Sequence, residues 1–357
     1  MRCKENGNKL MGLMVTPVGF SWTIWFGGTK GDLMIRWLWR LFTCVLVLSA
    51  SHASAQQYPT KVITIVVPFA AGGPTDTVAR LIAVPMSKSL GHQIIIENVG
   101  GAGGTVGAAR VAKAAPDGYT LFLHHIGHST APALYRKLPF DPVNDFEPIG
   151  LINETPMTLV AKKDFPPNDL KELIAYLKAN KGKVNLANAG LGAASHLCGM
   201  LFMSAIETDL TTIPYNGTAP AMNDLLGGQV DIMCDQTTNT TTQIKADKIK
   251  VYGVTTLKRL PSLPNVPTMD EAGLKGFQVS VWHGLYAPKG TPKPIIDTLT
   301  KSLQGALKDP TVNQRFADLG AESVAENRAT PDALRKLLRA EIDKWAPIIK
   351  KAAVYAD

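Results

Sequence analysis

The chain has 357 residues, 45% hydrophobic and 18% charged, with a formal net charge of +8 and four cysteines. That length suits one large or two medium domains. Six of the basic and two of the acidic residues fall in the first 55, so the remaining 302 carry only +4. They hold no basic cluster interleaved with aromatics, and nothing in them argues for nucleic acid.

The N-terminus sets the compartment. Residues 34–40 form a basic n-region, 41–50 an apolar h-region, and Ala53-Ser54-Ala55 a small-residue cleavage site. Together they predict a secretory signal peptide over 34–55, with Gln56 as the first mature residue. The apolar run is too short for a permanent anchor, and no later run reaches membrane-spanning length. Cys44 lacks the apolar stretch before it that a lipid-anchored cysteine requires. Residues 1–33 stand outside this pattern and read as an upstream extension, with Met34 as the start. Cys198 and Cys234 remain in the mature chain. In an oxidising compartment such a pair is either a disulfide or two buried thiols, and spacing alone leaves both open.

Along the mature chain, the β-branched run 62–67 predicts a strand, and the apolar period of 77–90 predicts a helix. Between them lies Pro68-Phe69-Ala70-Ala71-Gly72-Gly73-Pro74-Thr75-Asp76. Two glycines allow a sharp turn with no side chain between backbone and ligand. Pro74 suits the first helical position, which leaves the N–H groups of Thr75 and Asp76 to face an anion at the helix N-terminus. A strand at 93–97 then leads into Gly100-Gly101-Ala102-Gly103-Gly104-Thr105-Val106-Gly107 and a helix at 105–114. The dinucleotide spacing fails at Val106, so this tract reads as a turn with close helix–sheet packing. After a strand at 120–124 come His124-His125-Ile126-Gly127-His128. His124 and His125 point to opposite sides of a strand, which argues against a shared metal and favours His125 as an imidazole lining a cleft.

Further strands read at 158–161, 184–188, 230–234, 250–255 and 279–287, with helices at 170–180, 194–206, 219–226, 292–308 and 331–351. This alternation predicts an α/β fold with mainly parallel sheets, whose ligands sit beyond the carboxyl ends of the strands. Segments near 153–156 and 280–288 read as crossings between two lobes. Asn188-Ala189-Gly190-Leu191-Gly192-Ala193-Ala194-Ser195-His196 repeats the strand–glycine–helix logic of the first loop, so two helix N-termini could hold one anion. Thr218 opens a third helix, Asp235 and Gln236 follow a strand end, and 237–242 reads as a polar loop. Trp282 and His283 interrupt an apolar strand, either as core packing or as a wall against a planar ligand. Ser195-His196 is not a nucleophile–base pair, and G-x-S-x-G is absent.

These residues resemble the tripartite tricarboxylate transporter substrate-binding proteins, also called the Bug or TctC family. The markers are the loop 68–76, Glu97-Asn98 with the following glycine tract, Ala115-Pro116-Asp117-Gly118-Tyr119-Thr120 and Leu138-Pro139-Phe140-Asp141-Pro142. Then come Pro214-Tyr215-Asn216-Gly217-Thr218-Ala219-Pro220-Ala221, Gly228-Gln229-Val230-Asp231, Leu263-Pro264-Asn265-Val266-Pro267-Thr268 and Gly284-Leu285-Tyr286-Ala287-Pro288. The match covers essentially the whole mature chain.

The resemblance implies a periplasmic two-lobed type II binding-protein (Venus flytrap) fold, with 56–157 and 283–357 in one lobe and 158–282 in the other. It implies a monomer without cofactor or metal that takes a small carboxylate to a membrane permease. A ligand-sensing partner of a signalling receptor is the alternative, and a periplasmic hydrolase a more distant one. The expected ligand-binding residues are Phe69, Gly73, Pro74, Thr75, Asp76, His125, Gly192, Ala193, Ala194, Ser195, Thr218, Asp235, Gln236, Trp282 and His283. His125, Trp282 and His283 tilt the expectation towards an aromatic or planar carboxylate, with aliphatic dicarboxylates close behind. The family often has serine at Ala193 and lysine at Asn216, so this chain leans more on backbone N–H groups and Ser195.

Overall fold

Four of the five residues of strand β1 (Ile63–Val67) are fully buried, as a strand covered on both faces requires. The computed structural model describes residues 58–352; the segments read as upstream extension and signal peptide lie outside them. After β1 come α1 (Pro74–Leu90), β2 (Ile94–Asn98), a 3-10 turn (Ala102–Gly104), α2 (Thr105–Ala112), β3 (Thr120–His125), α3 (Gly127–Leu134) and β4 (Phe146–Lys162). The middle of the chain gives α4 (Leu170–Ala179), β5 (Asn185–Asn188), α5 (Ala194–Ile206), β6 (Thr211–Pro214), α6 (Thr218–Leu226), β7 (Ile232–Gln236), α7 (Thr237–Lys245) and β8 (Ile249–Val254). The last part supplies β9 (Ser280–Pro288), α8 (Lys293–Lys308), α9 (Pro310–Asp318), β10 (Glu322–Ser323) and α10 (Pro331–Ala352).

The fold is a two-lobed α/β arrangement, and β4 is the strand that joins the lobes. Residues 146–156 of β4 pair antiparallel with β9, and 157–162 pair antiparallel with β7 and β8. On the first side the order is β2-β1-β3-β9-β4, with β10 beyond. On the second, β4 lies between β8 and β7, and β5 and β6 follow β7 in parallel. Sequence reading placed a strand only at 158–161. The earlier part of β4 holds Pro148, Gly150, Asn153 and Pro156, residues that disfavour a strand by propensity. Two register shifts, between Pro148 and Gly150 and between Leu151 and Asn153, accommodate them.

The segment 237–242, read as a polar loop, is the start of helix α7. Threonine is a poor helix former, and here tertiary hydrogen bonds override propensity. Thr240 Oγ1 lies 2.8 Å from Thr158 Oγ1, Thr237 donates to the Gly320 carbonyl (3.1 Å) and Thr241 to the Leu319 carbonyl (3.2 Å). Helices α3 and α9 and the short strand β6 are additions that sequence reading did not make. Helix α5 is apolar on nearly all sides and buried along most of its length, as a helix packed into a core must be. It is joined to β7 by a Cys198–Cys234 disulfide with a Cα separation of 5.9 Å. Among the described residues no helix is long and apolar enough to cross a membrane.

Candidate functional site

Three helix N-termini meet at one buried cavity of about 230 Å3. Helix α1 contributes Pro74 and Thr75, α5 contributes Ala194 and Ser195, and α6 contributes Thr218. Phe69, His125, Ala189 and Gln236 complete the lining. Neither lysine nor arginine is among these residues, so the field in the cavity comes from backbone and side-chain dipoles.

Each terminus is shaped by its glycine turn. Gly72 takes a φ of +81°, and Gly73 caps α1 without a side chain. Pro74 occupies the first helical position, and the first backbone bond runs from Thr77 N–H to the Gly73 carbonyl (3.0 Å). Helix geometry leaves the N–H groups of Thr75 and Asp76 without an intrahelical acceptor. At α5 the turn is stitched from within. Ser195 Oγ accepts the Ala189 N–H (2.9 Å) and His196 Nδ1 accepts the Gly192 N–H (3.3 Å). The Ser195 hydroxyl proton therefore stays available beside the orphan N–H groups of Ala194 and Ser195. The Ala193 methyl packs with Phe69 and Ala189, across the lobes.

The Asp76 side chain turns away from the cavity. Its carboxylate accepts the Gly72 N–H (2.9 Å), the Asn98 amide (3.0 Å) and two bonds from Arg80 (2.8 and 3.1 Å). Burial alone would raise this carboxyl, but those hydrogen bonds and the Arg80 charge hold it below the ordinary carboxylate range. Asp76→Ala removes the acceptor for all of them. Thermal unfolding should show a loss of about 2 kcal/mol with faster amide exchange at Gly72, and Asp76→Asn should lose less. A Gly72 amide equally protected in both variants would contradict this role.

A cross-strand row aims the rings. In register, His125 of β3 faces His283 of β9, which faces Asn153 of β4. His283 Nδ1 lies 2.8 Å from Asn153 Oδ1 and its Nε2 lies 3.4 Å from Thr75 Oγ1. His125 stacks on Phe69, with centroids 4.7 Å apart, and its Nδ1 accepts the Gly127 N–H (2.9 Å). That bond fixes the tautomer and leaves Nε2–H as a donor. Burial lowers the His125 pKa to about 3, so the donor is a neutral imidazole. Trp282 alternates to the other face of β9 and lines a separate hollow with Trp345, Leu337 and Leu201.

Of the remaining sequence-predicted residues, Gly73 and Ala193 cap α1 and α5, and Gly192 lies in the turn before α5. Asp235 is buried behind Gln236; its Oδ2 accepts from Asn239 (2.6 Å) and its Oδ1 has no partner. Burial raises its pKa to about 7. Thr218 Oγ1 and Gln236 Oε1 are likewise buried and unpartnered. Sequence reading missed Ala189, whose position at the end of β5 was its only signal. Among the described residues no group of three or more His, Cys, Asp or Glu could hold a metal ion. Chemically, the site offers converging N–H and O–H donors in a dry setting, which is suited to holding an anion without changing it.

Comparison with known proteins gives a consistent set of matches. The model of the tripartite tricarboxylate transporter family receptor matches residues 78–354. The chain is 54% identical to the "UPF0065 protein in the TAR-I ttuE-ttuC' intergenic region" of Agrobacterium vitis, over 84% of this chain and 87% of that one. The structure resembles that of the periplasmic binding protein BugD, with 56% identity, a TM-score of 0.82, and coverage of 84% of this chain and all of that one. It also resembles MatC from Rhodopseudomonas palustris, solved with bound malate, with 45% identity and a TM-score of 0.79, over 82% of this chain and all of that one.

Proposed function

This chain belongs to the tripartite tricarboxylate transporter receptor family, and from that footing we propose that it captures a small aliphatic carboxylate between its lobes. The family is one of periplasmic solute-binding proteins, not of enzymes. As a monomer, the protein then passes its ligand to a membrane permease. One observation carries the reading: three helix N-termini converge on a buried cavity whose lining holds neither lysine nor arginine. One carboxylate sits against the α1 and α5 termini, with Ser195 and the His125 Nε2–H as further donors. Trp282 lies on another face, so the ring-based case for an aromatic ligand narrows to His125 and His283. The cavity volume favours a short chain, and malate in MatC is a carboxylate of that size.

The test uses malate and other three- to six-carbon acids in thermal-shift and titration calorimetry. At least one should bind the wild-type chain. Ala194→Pro deletes one N–H at the first helical position of α5, where proline is tolerated after an extended Ala193 (φ −64°, ψ 157°). Losing one charge-assisted hydrogen bond should weaken the bound acid about tenfold or more. A panel in which no acid binds, or an Ala194→Pro chain with unchanged affinity, would sink the reading.

A further inference from the structure

Sequence reading left the glycine tract 100–107 without a task beyond packing, and only Gly107 has that task in the simple sense: a Cβ there would lie 2.9 Å from Pro68 Cβ. The earlier glycines face the other lobe. A Cβ on Gly100 would lie 2.9 Å from the Asn216 carbonyl oxygen, and one on Gly103 would overlap the Leu191 carbonyl. From the opposite side, a Cβ on Gly190 would lie 2.9 Å from Gly103 N, and one on Gly217 2.8 Å from Ala70 N. Real Cβ atoms do not approach that closely, so this contact exists only because both sides are bare backbone.

Hydrogen bonds run along the same line. Ala70 N–H donates to the Asn216 carbonyl (2.9 Å), Tyr135 OH donates to the Ala102 (2.6 Å) and Leu191 (3.1 Å) carbonyls, and Thr130 Oγ1 donates to the Gly192 carbonyl (3.1 Å). All but the Ala102 bond cross between lobes. Of the side chains and amides that donate them, none lines the ligand cavity.

We infer that Gly100–Gly104, with Tyr135 and Thr130, is a closure seam: backbone of one lobe zips against the turns at 190–192 and 216–217 of the other and keeps the cavity shut. The inference rests on the two-lobed reading but not on the ligand's identity. Because its donors and acceptors are main-chain groups and two hydroxyls, the seam is indifferent to what lies in the cavity. It sets the closed population and hence the residence time of any ligand, while the helix termini set which ligand is held.

The test needs no ligand. The Ala70 amide is bonded across the seam, whereas the Val99 amide is bonded to the Val67 carbonyl (2.8 Å) within the first lobe. Gly100 has no positive φ, so Gly100→Ala adds bulk at the seam without backbone strain. Hydrogen exchange at Ala70 should speed up about tenfold in Gly100→Ala, with Val99 unchanged. Tyr135→Phe adds no bulk and should speed Ala70 about threefold. Gly305→Ala, whose added Cβ meets nothing within 4 Å, should leave both amides as in the wild type. Unchanged protection of Ala70 in both Gly100→Ala and Tyr135→Phe would overturn the seam, whether or not any acid binds. With malate as probe, faster release from Gly100→Ala would add the functional consequence, and equal release rates would count against it.

Discussion

Acidification from pH 7 to about pH 5 should cost this protein most of its stability, at roughly 5 kcal/mol per pH unit at the steepest. Five histidines are buried: His124, His125, His128, His196 and His283. Burial drives His125 and His128 down to about 3, His196 to about 4, and His124 and His283 well below the ordinary imidazole value, with neighbouring rings adding to the effect on His124 and His283. Each is neutral when folded and takes up a proton on unfolding. Their contribution is complete above the unfolded pKa of about 6.5 and is lost as pH falls towards the folded values. Asp235 works the other way. Its folded pKa is raised to about 7, so below that pH the folded chain holds a proton which the unfolded chain releases. Near pH 5 the net uptake on unfolding is about four protons, each worth about 1.4 kcal/mol per pH unit. Urea midpoints measured at pH 7, 6 and 5 should fall steeply. A flat series would mean that these rings are hydrated or paired in solution.

Removing the Cys198–Cys234 bridge should be the most damaging change to the middle lobe. The two cysteines are 36 residues apart, and closing such a loop in the unfolded chain is worth about 4 kcal/mol in the chain-entropy account. For a chain of this size that corresponds to a Tm lower by roughly 10 °C in the Cys198→Ala/Cys234→Ala chain. The bridge also has a position that bears on binding. Cys198 lies one turn into α5 from Ala194, and Cys234 lies two residues before Gln236. It therefore ties the donor end of one cavity wall to the polar end of another. The double variant should bind its acid more weakly even at temperatures where it is fully folded. Equal affinity and a Tm within about 2 °C of wild type would show the bridge to be ornamental.

The parts of this architecture that were legible in the sequence were those set by local chemistry. Phe69, Pro74, Thr75, Ala194, Ser195 and Thr218 could be placed because a strand, a glycine turn and a helix start leave few choices for what faces the cleft. What escaped depends on partners distant in sequence. The path of β4 through Pro148, Gly150 and Pro156 is fixed by its ladder with β9, not by its own residues. Helix α7 is a threonine-rich segment held by carbonyls of residues 319 and 320. Which of Trp282 and His283 faces Thr75 is a matter of strand register, and a single residue of slip exchanges them. The glycine tract was visible as a motif, but its partner lay on the other lobe.

The shared strand β4 has a further consequence for affinity. Each lobe alone carries a few N–H donors, a monovalent anion site too weak to matter on its own. Joining them through a paired ladder in place of a flexible tether makes capture by the second half an intramolecular event, at an effective concentration set by a stiff connection. Much of the orientational entropy that two separate half-sites would lose on gripping one small acid is already lost when β4 folds. The protein behaves as a bivalent receptor whose linker is a β-ladder.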